Sequence, residues 1–228
     1  MSSKRRRPFA IAERRLDPDR LTALAATPAP VRPAFATLWN LDLALADVVA
    51  TTTEPPLGAI RLAWWRERLE ELDTGGTPAE PRLSAIARQL LRRGISGREL
   101  SRLEGAWLPL LDPVPWGEQV AEGMRLRGRL LFGIGARLLG GRAEDAEHAG
   151  AAWSLVDAAT HCSDAQSRDL LFAEARAALA DIPRTMPREL RPLTVLAALA
   201  AHDVLKAGRL SRVRAALAHR LRGTIPRS

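Results

Sequence analysis

The chain has 228 residues, 46% of them hydrophobic and 26% charged, an ordinary globular balance with room for one sizeable domain or two small ones. Its one cysteine, Cys162, excludes an intramolecular disulfide, and the absence of tyrosine removes the phenol from any proton-transfer scheme. A formal net charge of +8 and an isoelectric point near 11.2 imply an anionic neighbour such as diphosphate, acidic lipid headgroups or nucleic acid.

Residues 1–15 hold Lys4, Arg5, Arg6, Arg7, Arg14 and Arg15 with little apolar content, the pattern of a mobile basic arm. Asp17-Pro18 then opens a helix through Ala26, since proline suits a first turn. Pro28, Pro30 and Pro33 force an extended link. A helix over 34–51 follows, with Phe35, Leu38, Leu41, Leu45, Val48 and Val49 recurring at three and four, and Pro55-Pro56 stops it.

Residues 58–72 form the best-marked helix, closed by Asp73-Thr74-Gly75-Gly76. Further helices are predicted over 83–92, 96–110, 117–139, 143–160, 168–180, 190–207 and 210–221. No period-2 run of β-branched and aromatic residues exceeds a few positions, so the fold class is all-α. Residues 16–228 read as a single domain, because composition shifts nowhere enough to divide them. The longest apolar stretch, 192–201, is about half of the roughly 20 residues a bilayer-crossing helix needs. No signal-peptide pattern is present, and the expected location is cytoplasmic, with peripheral contact at the inner membrane as its extension.

The segment around Trp64 and Trp65 is the most informative. On a helix Arg61 lies three and four residues before the two indoles, so a guanidinium can sit beside them. The plainer reading makes the tryptophans core anchors and pairs the arginines with Glu67, Glu70 and Glu71. The full run Glu54-Pro55-Pro56-Leu57-Gly58-Ala59-Ile60-Arg61-Leu62-Ala63-Trp64-Trp65-Arg66-Glu67-Arg68-Leu69-Glu70 resembles the G-x-I-R-L-Q-W-W-R-D-x-L-E block of squalene/phytoene synthase family proteins. Trp39-Asn40-Leu41-Asp42 is similar to the F-N-x-E stretch of that family's non-catalytic branch, which includes assembly factors of respiratory complex I. Arg127-Gly128-Arg129-Leu130-Leu131, Ala149-Gly150-Ala151-Ala152-Trp153 and Met186-Pro187-Arg188-Glu189-Leu190-Arg191-Pro192 resemble later family segments.

The resemblance implies an isoprenoid-synthase-like helical bundle around a central cavity. Two aspartate-rich motifs on facing helices would there hold Mg²⁺ against prenyl diphosphates, because a hard cation needs oxygen ligands. In this chain both motifs are eroded. Of the first, D-D-x-x-D, only Asp47 falls on an acidic position, and Asp42 lies five residues away, about 140° round a helix. Of the second, D-x-x-x-D, His161 replaces the first carboxylate and Ala165 the last, with Asp164 one residue out of place. Asp157, His161 and Cys162 make only an incomplete zinc set. The family's contacts after the second motif reduce to Arg168.

No catalytic residue is therefore assigned and no cofactor is expected, Mg²⁺ being required only if the chain is active. The expected function is that of a non-catalytic family member binding a lipid, an isoprenoid-like ligand or a protein partner, with possible peripheral membrane contact. Arg61, Trp64, Trp65, Arg66, Arg129 and Arg168 are the candidate ligand-binding residues, and Asp47, His161 and Asp164 the metal-motif remnants. The alternative is a divergent prenyl-diphosphate transferase in which Arg61, Arg66 and Arg129 take diphosphate charge. A basic nucleic-acid-binding protein is a third reading, without a recognition motif or stacking platform to support it. As a core ring, Trp65 should cost ~3 to 5 kcal/mol when truncated in Trp65→Ala, measured by denaturant unfolding. A near-neutral result would place the ring at the surface.

Overall fold

The computed structural model describes residues 16–75, 79–205 and 209–226; the basic arm over 1–15 lies outside them. The described residues are all-α, with no strand and a single isolated bridge between Thr185 and Thr224. In chain order the α-helices are α1 (Pro18–Ala26), α2 (Arg32–Thr51), α3 (Pro55–Glu71), α4 (Pro81–Gln89), α5 (Gly97–Ser101), α6 (Leu103–Trp107), α7 (Glu118–Leu138), α8 (Glu144–Thr160), α9 (Ala165–Ala180), α10 (Arg191–Val204) and α11 (Arg209–Arg222).

Local chemistry sets most of the boundaries. Asp17 caps α1 by accepting from the amides of Asp19 and Arg20, both at 2.9 Å, and Glu80 and Asp164 do the same for α4 and α9. Pro55 and Pro56 end the segment after α2 and also start α3, three residues earlier than the periodicity predicts, because proline's fixed φ and missing N–H suit a first turn. The helix expected over 96–110 is broken into α5, α6 and a 3₁₀ turn at Leu108–Leu111. Ser101 donates its hydroxyl back to the Arg98 carbonyl at 2.9 Å, and Pro109 has no N–H with which to continue the ladder.

Helix α2 is long and apolar enough to cross a membrane by length and composition, the only such helix among the described residues. Two-thirds of its apolar window is nevertheless inside the fold, with Phe35, Leu38, Trp39, Leu41 and Leu45 all buried. It is the core helix around which α3, α4, α6 and α7 pack. Trp65 is 6% exposed and belongs to the same core, whereas Trp64, edge-on to it, is 42% exposed.

The most extensive contact is between α7 and α8, and it depends on two glycines. A Cβ on Gly128 would lie 2.0 Å from the Gly150 carbonyl oxygen, and one on Gly150 would lie 2.2 Å from the Gly128 carbonyl oxygen. The backbones touch, with nothing flexible to yield. Gly128→Ala is expected to destabilise the fold by about 1–3 kcal/mol through overpacking, read as a lower denaturation midpoint. Gly105→Ala, where an added Cβ meets nothing within 4 Å, is the control and should be neutral or mildly stabilising.

Candidate functional site

The close approach of α7 and α8 delivers Arg127, the residue before Gly128, into the space between α2 and α8. Arg127 is buried and clasps Asp42 of α2 through two bonds, Nε to Oδ1 at 2.8 Å and Nη2 to Oδ2 at 2.6 Å. Its remaining nitrogen, Nη1, reaches Asp157 Oδ2 at 2.8 Å and Ser154 Oγ at 3.1 Å, both on α8. A second guanidinium, Arg20 of α1, is also buried. It lies 3.2 Å from Asp42 Oδ2 and 3.3 Å from Asp157 Oδ2, and it pairs with its own helix cap, Asp17. Trp107 of α6 donates its indole N–H to Asp42 Oδ1 at 3.2 Å.

Aromatic rings wall this cluster. Arg127 lies over Trp107 and Trp153 at 4.6 and 4.9 Å from the ring centroids, and Arg20 over Trp153 at 4.9 Å. Such faces stabilise a cation that has lost its water. Trp39 and Phe132 pack against Trp153 at 5.6 and 5.4 Å. Two donors, Arg20 Nε and Trp39 Nε1, are buried with no hydrogen-bond partner among the described residues.

The electrostatics follow from burial set against pairing. Burial alone would raise the Asp157 carboxyl. The guanidinium groups of Arg20 and Arg127, with a contribution from His161, reverse this and hold it well below the usual carboxylate range. Burial likewise works against both arginine charges, and the facing carboxylates outweigh it, so both guanidinium groups are bound more firmly to their protons than in water.

A cavity of about 360 Å³ adjoins the cluster between α1, α8, α10 and α11. Asp157, Trp153, Asp17, Asp19, Asp203 and His161 are among its lining residues, and Arg212 of α11 bridges Asp19 and Asp203 at 2.5 and 2.9 Å.

Apart from His161, the residues singled out from sequence fall elsewhere. Arg61 is exposed and donates to the hydroxyls of Thr51 and Thr52 at 3.3 and 3.0 Å. Arg66 lies 3.8 Å from Glu67, and Arg129 lies 3.6 Å from Glu122 on its own helix. Arg168 is half-buried in the first turn of α9, near enough to Asp164 and Cys162 to act on both electrostatically. Asp164 serves as the α9 cap, bound by the amide and hydroxyl of Ser167 at 2.8 and 2.6 Å. Asp47 is half-buried further along α2.

His161 is indeed beside Asp157, Nδ1 lying 2.7 Å from its carbonyl oxygen and 3.8 Å from Oδ1. The Asp157 carboxylate, however, is engaged with the arginines, and no group of three or more His, Cys, Asp or Glu among the described residues has metal-holding geometry. In the sequence Asp42 and Arg127 stand only within segments that resemble the family, Asp42 and Asp157 are otherwise weighed as metal ligands, and Arg20 is not singled out. The one available signal was an arginine immediately before a helix-packing glycine.

A family model for squalene/phytoene synthase matches residues 14–104, from the start of α1 into α6. The matched stretch contains Arg20, Asp42 and the tryptophan block, while Arg127 and Asp157 lie beyond it. No curated protein and no solved structure matches the chain.

Asp42→Ala leaves two buried guanidinium groups short of an acceptor and should cost about 3–5 kcal/mol. The depressed Asp157 carboxyl also dictates a pH response, because an unfolded aspartate titrates near about 3.9. Its contribution is complete at neutral pH and is lost progressively as pH falls below about 5. Chemical denaturation between neutral and acid pH should therefore show Asp157→Asn starting less stable and falling less steeply than the parent.

Proposed function

We propose that the chain is a squalene/phytoene synthase-like protein that binds rather than transfers: a non-catalytic member that holds a lipid or protein partner. The observation that carries this reading is the two-bond clasp of Arg127 on Asp42, extended to Asp157. In a prenyl-diphosphate synthase, carboxylates on facing helices are kept for metal, and the metal draws the diphosphate away. Here the carboxylates that face each other across α2 and α8 have their lone pairs taken by guanidinium groups. A divalent ion would have to displace two buried arginines and then sit beside them, against like-charge repulsion in a medium of low dielectric.

The similarity of Trp39-Asn40-Leu41-Asp42 to the non-catalytic branch supports the same reading and suggests the assembly of a respiratory complex as its setting. The exposed face of α3, with Leu57, Ile60 and Trp64 at helical spacing, is a surface of the kind a partner could cover.

The alternative, a divergent synthase steering diphosphate with Arg61, Arg66 and Arg129, would need those guanidinium groups gathered on one pocket. Arg66 and Arg129 each face a glutamate close in sequence, and Arg61 faces two threonines. Incubation with farnesyl or geranylgeranyl diphosphate and Mg²⁺ should release diphosphate no faster than a protein-free control, by colorimetric assay and product chromatography. Mg²⁺-dependent product at enzymatic rates would overturn the reading.

A further inference from the structure

Helix α11 has five arginines and no acidic residue, and its two sides are unlike. One side is fixed to the bundle. Arg212 bridges Asp19 and Asp203, and buried His219 lies 2.9 Å from Thr194 Oγ1 and 3.0 Å from the Thr224 carbonyl oxygen. The other side presents Val213, Leu217 and Leu221, spaced four apart and 70%, 56% and 68% exposed, so they form one apolar stripe. Arg214, Arg220 and Arg222 are exposed alongside it.

The stripe continues into a groove of about 620 Å³ lined by Pro192, Val195, Ala216 and Leu217, with Arg188 and Arg220 also at its wall. Arg191 ties the end of α11 to α10 by donating to the Leu221 carbonyl at 2.8 Å. The stripe is thus held outward by specific bonds on its far side.

We infer that this face of α11 docks the protein onto an anionic phospholipid bilayer, with Val213, Leu217 and Leu221 entering the headgroup–acyl boundary while Arg188, Arg214, Arg220 and Arg222 meet lipid phosphates. Three large aliphatic side chains flanked by arginines on a surface helix are what an interfacial helix requires: apolar area to insert and cationic rim to meet headgroups. Charge decides among the occupants. A second copy of the chain would set α11 arginines against α11 arginines, and the arm over 1–15 is itself basic, so both are repelled where an anionic surface is attracted. A nucleic acid would satisfy the arginines but leave the aliphatic stripe in water.

This surface is distinct from the Arg20–Arg127 cluster, so vesicle binding and prenyl-diphosphate turnover are independent read-outs. The full chain should co-sediment with phosphatidylglycerol-rich vesicles, fail to do so with pure phosphatidylcholine vesicles, and be released by raised salt. Replacing Arg220 and Arg222 together by Gln should weaken partitioning by about tenfold or more. Val213→Ser with Leu217→Ser should abolish it, with unchanged thermal melts confirming that these exposed positions leave the fold intact.

Equal binding to neutral vesicles, no binding to anionic ones, or retention by the serine pair would each overturn the proposal. So would release by inorganic phosphate at matched ionic strength, which marks a simple anion site. Concentration-dependent dimers that are lost in the serine pair, with no vesicle binding, would assign the stripe to a second copy instead.

Discussion

The structure turns on the burial of two guanidinium groups against two carboxylates at the meeting of α1, α2, α7 and α8. Taking four charges out of water costs several kcal/mol per ion, a cost recovered only when the geometry is close and every charge is answered. Arg127 meets that condition with a bidentate clasp on one helix and a bond to another, and the tryptophan faces around it replace lost hydration with polarisable area. Four helices are thereby held in one register, since displacing any of them strands a charge. This is positional information that apolar packing alone supplies weakly.

The cluster needs the glycine contact as much as its own charges. Gly128 and Gly150 let α7 and α8 approach until their backbones touch, and only at that separation can a side chain at 127 bridge to 154 and 157. Trp153, three residues after Gly150, then fills the space between the guanidinium groups and Phe132. Charge, ring and glycine form one arrangement distributed over distant parts of the chain. The family match, ending at residue 104, takes in Arg20, Asp42 and Trp39 but neither glycine, nor Arg127, Trp153 or Asp157.

That distribution explains what could be read from sequence. The all-α class and most helix limits were legible because they rest on local signals: the Asp17 cap, the prolines at helix starts, the three-and-four spacing in α2. The break of 96–110 was not, because it depends on Pro109 and Ser101 acting within an otherwise helical pattern. The site was less legible still. Arg61, Arg66 and Arg129 stood out by motif, yet each is satisfied locally at the surface. Arg20 and Arg127 matter through partners 22 and 85 residues away, and nothing in a single sequence marks such a pair. Trp64 and Trp65 show the same divide: adjacent and identical in type, they part into surface and core because successive helical positions differ by about 100° in direction.

The consequence for function lies in where the counter-charge comes from. Two carboxylates facing each other across a helical bundle repel unless a cation lies between them. A metal ion supplied with substrate would provide that cation only during turnover, leaving the empty site poised and its carboxylates available. Arginine provides it permanently, tethered to the chain, with a planar fork that fixes the helices in place. In this cluster the counter-charge belongs to the fold itself, so it is settled before any ligand arrives. On the proposed reading, recognition falls to the outside of the bundle, where α3 and α11 expose apolar side chains beside arginines and the net positive charge of the chain can act on a partner.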